Sequence, residues 1–113
     1  MFRGLDIGET VATKDCFGVI IGQIGELYLI KESGGTRTLE LERQHIFALG
    51  DRVVVNGVRW KKFIGDLRAI GDKEELYSFG RIIDMLSSTV EVMHDGGDFT
   101  SAWFATNLEL LDG

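Results

Sequence analysis

Proline is absent from this 113-residue chain. At the usual ~5% a chain of this length would hold about five or six. Its turns must therefore come from Gly, Asn and Asp, which reach positive φ at low cost. Glycine is correspondingly abundant, at 15. Cysteine occurs once, as Cys16. An intrachain disulfide is thereby excluded, which suits a reducing compartment, and we expect a cytoplasmic protein. No apolar run approaches the ~20 residues of a membrane span. The start, Met1-Phe2-Arg3-Gly4-Leu5-Asp6, lacks the apolar core of a signal peptide. Neither Gly-x-x-x-x-Gly-Lys-Ser/Thr nor Gly-x-Gly-x-x-Gly occurs, so phosphate-loop nucleotide binding has no sequence support.

Positive charge is in the minority. The formal net charge is −6 and the pI is about 4.8. An acidic chain repels phosphate backbones, so duplex nucleic acid is not its default partner. With 44% hydrophobic and 27% charged residues, the composition is that of a globular protein of one domain or two very small ones. Units near 50 residues bury little surface, so two of them are expected to pack on each other.

What the chain does have is an internal repeat. Phe17-Gly18-Val19-Ile20-Ile21 returns 62 positions later as Phe79-Gly80-Arg81-Ile82-Ile83. Gly34-Gly35 returns at the same spacing as Gly96-Gly97, Thr38 as Thr100 and Leu49 as Leu111. Residues 17–49 can thus be laid on 79–111 without a gap. Gly8-Glu9-Thr10-Val11 is echoed by Gly50-Asp51-Arg52-Val53 at a spacing of only 42. The second copy therefore holds 20 extra residues after its first strand. Markers sharing one spacing point to two copies of one small unit.

Each copy reads as β. The apolar runs at 17–22 and 79–83, bounded by glycines and rich in β-branched residues, predict buried strands. Leu27-Tyr28-Leu29-Ile30 and residues 89–93 predict the next strand of each copy. The Gly-Gly turns predict hairpins into 38–42 and 100–104. Leu39 and Leu41 alternate with Glu40 and Glu42, giving one buried and one wet face. Glu42-Arg43-Gln44 and Thr106-Asn107 predict single 3-10 turns. Ile46-Phe47-Ala48-Leu49 and residues 108–111 predict the closing strands.

The insertion, 56–78, is the irregular part. Apolar residues at Trp60, Phe63, Ile64 and Leu67 have the i, i+3, i+4, i+7 spacing of an amphipathic helix over 58–70. Gly65 within it costs about 1 kcal/mol relative to Ala, and a long β-hairpin arm is the competing reading.

Few residues suggest chemistry. His45 and His94 fall in different copies, and Cys16 has no local catalytic signature. His94-Asp95-Gly96-Gly97-Asp98 has the composition of metal ligands, but a hard cation wants more oxygens than this and the stretch is a good turn by itself. We expect no catalytic residue, metal or cofactor. Aromatics, in contrast, gather in the second copy: Trp60, Phe63, Tyr77, Phe79, Phe99, Trp103 and Phe104. Trp103 and Phe104 are adjacent, so on a strand one faces the core and the other needs a different cover. Arg59, Lys61, Lys62 and Arg68 form the one basic concentration, with Trp60 interleaved, and residues 59–68 are a candidate nucleic-acid contact.

The order of these features resembles the five-stranded SH3-like barrels, including the Tudor, KOW and bacterial or phage SH3-like groups. Gly-x-x-Val, a long loop, Phe-Gly-x-Ile-Ile, a strand, a Gly-Gly turn, a strand, a short helical turn and a final Leu occur twice. The resemblance implies an all-β chain of two tandem barrels, 1–49 and 50–113, the second with a helical or hairpin insertion in its first loop. It also implies a non-catalytic protein- or peptide-binding module or adaptor. In such barrels an aromatic groove beside the first loop receives peptides, sometimes through cation–π contacts. Carried over by position, that groove would use Trp60, Tyr77 and Trp103, with Phe104, Arg59, Lys61 and Lys62 beside them; the competing reading is that these rings glue the insertion onto the barrel. The alternative is a nucleic-acid accessory protein using 59–68.

Overall fold

The computed structural model describes residues 2–67, 78–86, 89–96 and 99–112, with the backbone alone described for 64–67. Nine strands and one helix are seen there. The first half holds β1 (Thr10–Ala12), β2 (Phe17–Ile24), β3 (Leu27–Glu32) and β4 (Thr38–Glu42). The second holds β5 (Arg52–Val55), α1 (Gly57–Leu67), β6 (Phe79–Met85), β7 (Val90–His94), β8 (Thr100–Trp103) and β9 (Leu108–Leu111). Single 3-10 turns lie at Arg43–His45 and Ala105–Asn107. Two antiparallel sheets result, of order β1-β2-β3-β4 and β8-β7-β6-β5-β9. The chain is mostly β, and no described helix is long and apolar enough to cross a membrane.

The 62-residue spacing holds in three dimensions. Gly18 pairs with Glu32, and Gly80 with His94. Both second strands carry a β-bulge at the same place, between Ile20 and Gly22 and between Ile82 and Asp84. The bulge residues, Ile21 and Ile83, are both exposed. Glycine is required at 18 and 80 for one reason. A Cβ at Gly18 would sit 2.6 Å from the Lys31 carbonyl oxygen, and one at Gly80 would sit 2.5 Å from that of Met93. No side chain fits against backbone that close.

The 42-residue spacing holds as well. Gly8 and Gly50 both take positive φ, 94° and 86°, and donate to the Ile20 and Ile82 carbonyls at 2.7 and 2.8 Å. A carboxylate caps each turn. Glu9 Oε2 accepts from the Asp6 N–H at 3.2 Å, and Asp51 Oδ2 from the Ala48 N–H at 3.0 Å. Each carboxylate also meets an arginine: Arg3 pairs with Glu9, and Arg43 with Asp51 at 2.6 Å. Arg43 further donates to the Ile46 and Arg3 carbonyls, tying the junction between the halves to the amino-terminal segment.

One expected element is shortened. The closing strand at 46–49 is a single bridge, Ala12 to Phe47, with backbone bonds of 2.9 and 2.8 Å. The first sheet therefore has four strands where five were expected. The reason is local: the Asp51-capped turn starts at Ala48, so the ladder stops after Phe47. In the second half no such turn intervenes, and β9 pairs with β5 from Leu108 to Leu111.

The insertion resolves to a helix at Gly57–Leu67; the rest of the predicted helix, 68–70, lies outside the described residues. Asn56 opens it, its Oδ1 accepting from the Val58 N–H at 3.0 Å, as an N-cap does.

Two cores form. The first gathers Val11, Ile20, Tyr28, Ile30, Ile46 and Ala48. The second gathers Val53, Ile82, Val90, Val92, Trp60 and Trp103, and takes in Ala12 and Phe47 from the first half. Alternation explains the sharing. Val11 and Ala12 point to opposite faces of β1, so one strand feeds both cores. The halves are packed together, as expected for units that bury little surface alone.

Candidate functional site

The second half departs from the first in its aromatic residues. Trp60 is 4% exposed and Trp103 9%. Trp60 lies between the ring of Phe63 at 5.3 Å and that of His94 at 5.1 Å, with Phe99 and Trp103 each at 6.4 Å. Phe63 meets Trp103 edge-on at 5.2 Å. Such tilted and edge-on pairs are the favoured geometry of packed rings. The helix is thus glued to the sheet through Trp60 and Phe63. Trp60 and Trp103 lie in a packed cluster between insertion and sheet.

A polar thread runs inside it. Ser101 Oγ accepts from Trp103 Nε1 at 2.5 Å and lies 2.5 Å from His94 Nε2. His94 is 1% exposed. The equivalent first-copy positions are Glu32 and Leu39, so this network belongs to the second copy alone. It gives Trp103 Nε1 and His94 Nε2 a partner inside the core.

Phe104 is the ring left outside, at 57% exposure. It lines a groove of about 380 Å³ with Cys16, Phe17, Ser33 and Thr106, so both halves contribute walls. The first-half wall is ordered by Thr13, whose Oγ1 accepts from the Asp15 and Cys16 N–H groups at 3.1 and 3.0 Å. A second groove, of about 350 Å³, is lined by Val54, Asn56, Trp60, Lys61, Ser78 and Glu109. Arg59, Lys61 and Lys62 are exposed on α1. Tyr77 and Arg68 lie outside the described residues. Among the described residues no group of three or more His, Cys, Asp or Glu is placed to hold a metal. Cys16 is a half-buried free thiol, 3.6 Å from Thr13 Oγ1.

Sequence reasoning missed the contribution of 13–17, because that turn lies in the other copy and no local motif marks it. Phe104 was among the candidates because it is adjacent to Trp103, so that one of the two needs a cover outside the core.

The turn ahead of β8 is fixed by charge. Arg52 grips Asp95 through two bonds, Nη1 to Oδ1 at 2.5 Å and Nη2 to Oδ2 at 3.0 Å. The Arg52 hydrogen bonds hold the Asp95 carboxyl below its ordinary 3.8. The Arg3 hydrogen bonds likewise hold Glu9 below its ordinary 4.5. A carboxyl depressed in the folded state contributes stability that is complete above its unfolded value and lost as pH falls through its folded value. The thermal midpoint is therefore expected to fall as pH drops from about 4.5 downward. Arg52→Gln should flatten part of that slope, measured by thermal melts from pH 6 to 2. An unchanged midpoint over that range would contradict the assignment.

No family model and no curated protein matches the chain. Among solved structures, the chain is similar to the one described as "Crystal structure of ADCP1 tandem Agenet domain 3-4", at 16% identity over 93% of this chain and 79% of that one, with a TM-score of 0.35.

Proposed function

We propose that the chain is a non-catalytic module that binds a protein or peptide. On this reading it is two SH3-like barrels in tandem, 1–49 and 50–113, the second carrying its insertion at 56–78. Two features support the barrel reading. The strand order β8-β7-β6-β5-β9, with a 3-10 turn before the last strand, is the meander of such a barrel. The first half repeats it, with the last strand reduced to the Phe47 bridge.

One observation carries the binding reading. The position that is an exposed glutamate in the first copy, Glu42, is an exposed phenylalanine in the second, Phe104. Single exposed apolar residues are normal on protein surfaces, but this ring stands on the wall of a groove between the halves. Aromatic anchors dominate binding energy at protein interfaces. The test is selection of peptides from a random display library on the intact chain, then titration of the best binder. Phe104→Ser is expected to weaken it by about tenfold or more, the effect of losing one anchor side chain, with the thermal midpoint unmoved. Failure to enrich any peptide, or indifference to Phe104→Ser, contradicts the reading.

A nucleic-acid reading has one observation in its favour, the exposed Arg59, Lys61 and Lys62 on one short helix. Titration of labelled DNA and RNA at low and high salt decides it. Tight binding that weakens steeply with salt and is abolished by Lys61→Glu and Lys62→Glu would replace the peptide reading.

A further inference from the structure

We propose that the outer edge of β8 accepts an extended, basic segment of a partner protein as an added strand. This deepens the peptide-binding reading above and rests on it.

The two copies present the same edge in two forms. β4 and β8 are both edge strands of their sheets. The His94 N–H donates to the Phe99 carbonyl at 3.2 Å, and the Glu32 N–H to that of Arg37 at 2.9 Å. In antiparallel pairs, bonded and non-bonded positions alternate. Ser101 and Trp103 therefore bond inward to β7, while the N–H and C=O groups of Thr100 and Ala102 point away from the sheet. In the first copy Thr38 and Glu40 occupy those places. Among the described residues no backbone group pairs with either outer edge.

An open edge invites another strand, and proteins commonly guard such edges with charge. β4 is guarded: Glu40 and Glu42 stand on its exposed face. β8 is not: the same places hold Ala102 and, just beyond the strand, Phe104, both exposed. The duplication makes each strand the control for the other.

The occupant's charge follows from the cross-strand rows. In the second sheet Asp84 pairs with Glu91, and Glu91 with Ala102. In the first sheet the equivalent row is Gly22, Leu29 and Glu40. The carboxylates have moved inboard from the edge, and the edge residue has become a methyl. Neighbouring strands lie about 4.8 Å apart, so a long side chain on an added strand, opposite Ala102, can cross that methyl and meet Glu91. A lysine or arginine there is matched by charge, and an aliphatic residue along the strand meets Phe104. A second copy pairing through its own β8, Thr100–Trp103, would bring no basic residue to meet Glu91, and its net charge of −6 opposes self-association. Strand addition takes its affinity from main-chain bonds and its choice of ligand from alternating side chains, which is the division seen here.

The probe is an eight-residue peptide of alternating Lys and Val, titrated into the 15N-labelled chain, with a Glu–Val peptide as its control. The Lys–Val peptide is expected to bind and to slow amide exchange at Thr100 and Ala102. Peptide N-methylated at alternate residues should bind about tenfold more weakly or worse, since it loses several backbone bonds. Ala102→Glu with Phe104→Glu, which copies the first edge, should abolish the protection with the fold intact by its spectrum. Absence of Lys–Val binding, equal binding of Glu–Val, or binding without protection at β8 overturns the proposal. Concentration-dependent dimerisation abolished by the double variant also overturns it, with self-pairing as the occupant. A library-selected peptide that maps to the groove at 13–17 and ignores Ala102→Glu sinks strand addition alone; a library yielding no binder sinks both readings.

Discussion

Asp51→Ala is expected to destabilise the chain by about 3–5 kcal/mol, because it leaves a buried charge without its partner. The side chains of Arg43 and Asp51 are 13% and 4% exposed. Asp51 also accepts the Ala48 N–H, so the substitution removes a turn cap together with an ion pair. Glu9 makes the same two contacts in the first copy, but its partner Arg3 is 42% exposed in its side chain. Exposed pairs contribute about 0–1 kcal/mol, so Glu9→Ala should cost far less. The turn cap is the same in both, so the comparison bears on the pairing arginine and its burial. Removing both charges, with Arg43→Met added to Asp51→Ala, should recover part of the loss. Urea unfolding of the three variants measures all of this. A cost for Asp51→Ala no larger than that for Glu9→Ala would show that the junction is not held by this pair.

Trp60→Ala should cost about 3–5 kcal/mol as well, the usual range for truncating a large buried ring. The ring is enclosed by Phe63, His94, Phe99 and Trp103, and the helix has no other tryptophan to hold it. Isolated helices of 11 residues are marginal in water, so α1 depends on this contact. Its loss should be visible as reduced helical ellipticity and as faster amide exchange across 57–67 before global unfolding. A ring whose role was to meet a ligand would be replaced at little cost to the free chain. A drop of under about 1 kcal/mol, the size typical of surface substitutions, would return Trp60 to the binding surface.

Much of the fold was legible because backbone geometry fixed the markers. Gly18 and Gly80 are held by a carbonyl 2.6 and 2.5 Å from where a Cβ would be, and Gly8 and Gly50 by positive φ. Such positions tolerate little else, so the spacing survives while most side chains change. The helix was legible too, since the apolar stripe at 60, 63, 64 and 67 is a property of that segment alone. The closing strand at 46–49 was not, because its length is limited by the next turn, whose cap is a contact of Asp51 with Ala48. The fate of the rings was only half legible. Alternation separates Trp103 from Phe104, but which of them is covered depends on what packs above. Trp60 was therefore open to both readings, a groove or a core. The unguarded edge of β8 emerged only from cross-strand pairing, which joins Asp84, Glu91 and Ala102 from three separate stretches.

The duplicated scaffold and the proposed binding surface are best separated by a chemical-shift map of the 15N-labelled chain with a library-selected peptide. Perturbations are expected at Phe104, at the facing turn 13–17 and along β8, while β4 and Glu42, the corresponding positions 62 residues earlier, stay silent. Equal perturbation of β4 and β8, or a map confined to the first half away from 13–17, would contradict the claim that function resides where the second copy departs from the first.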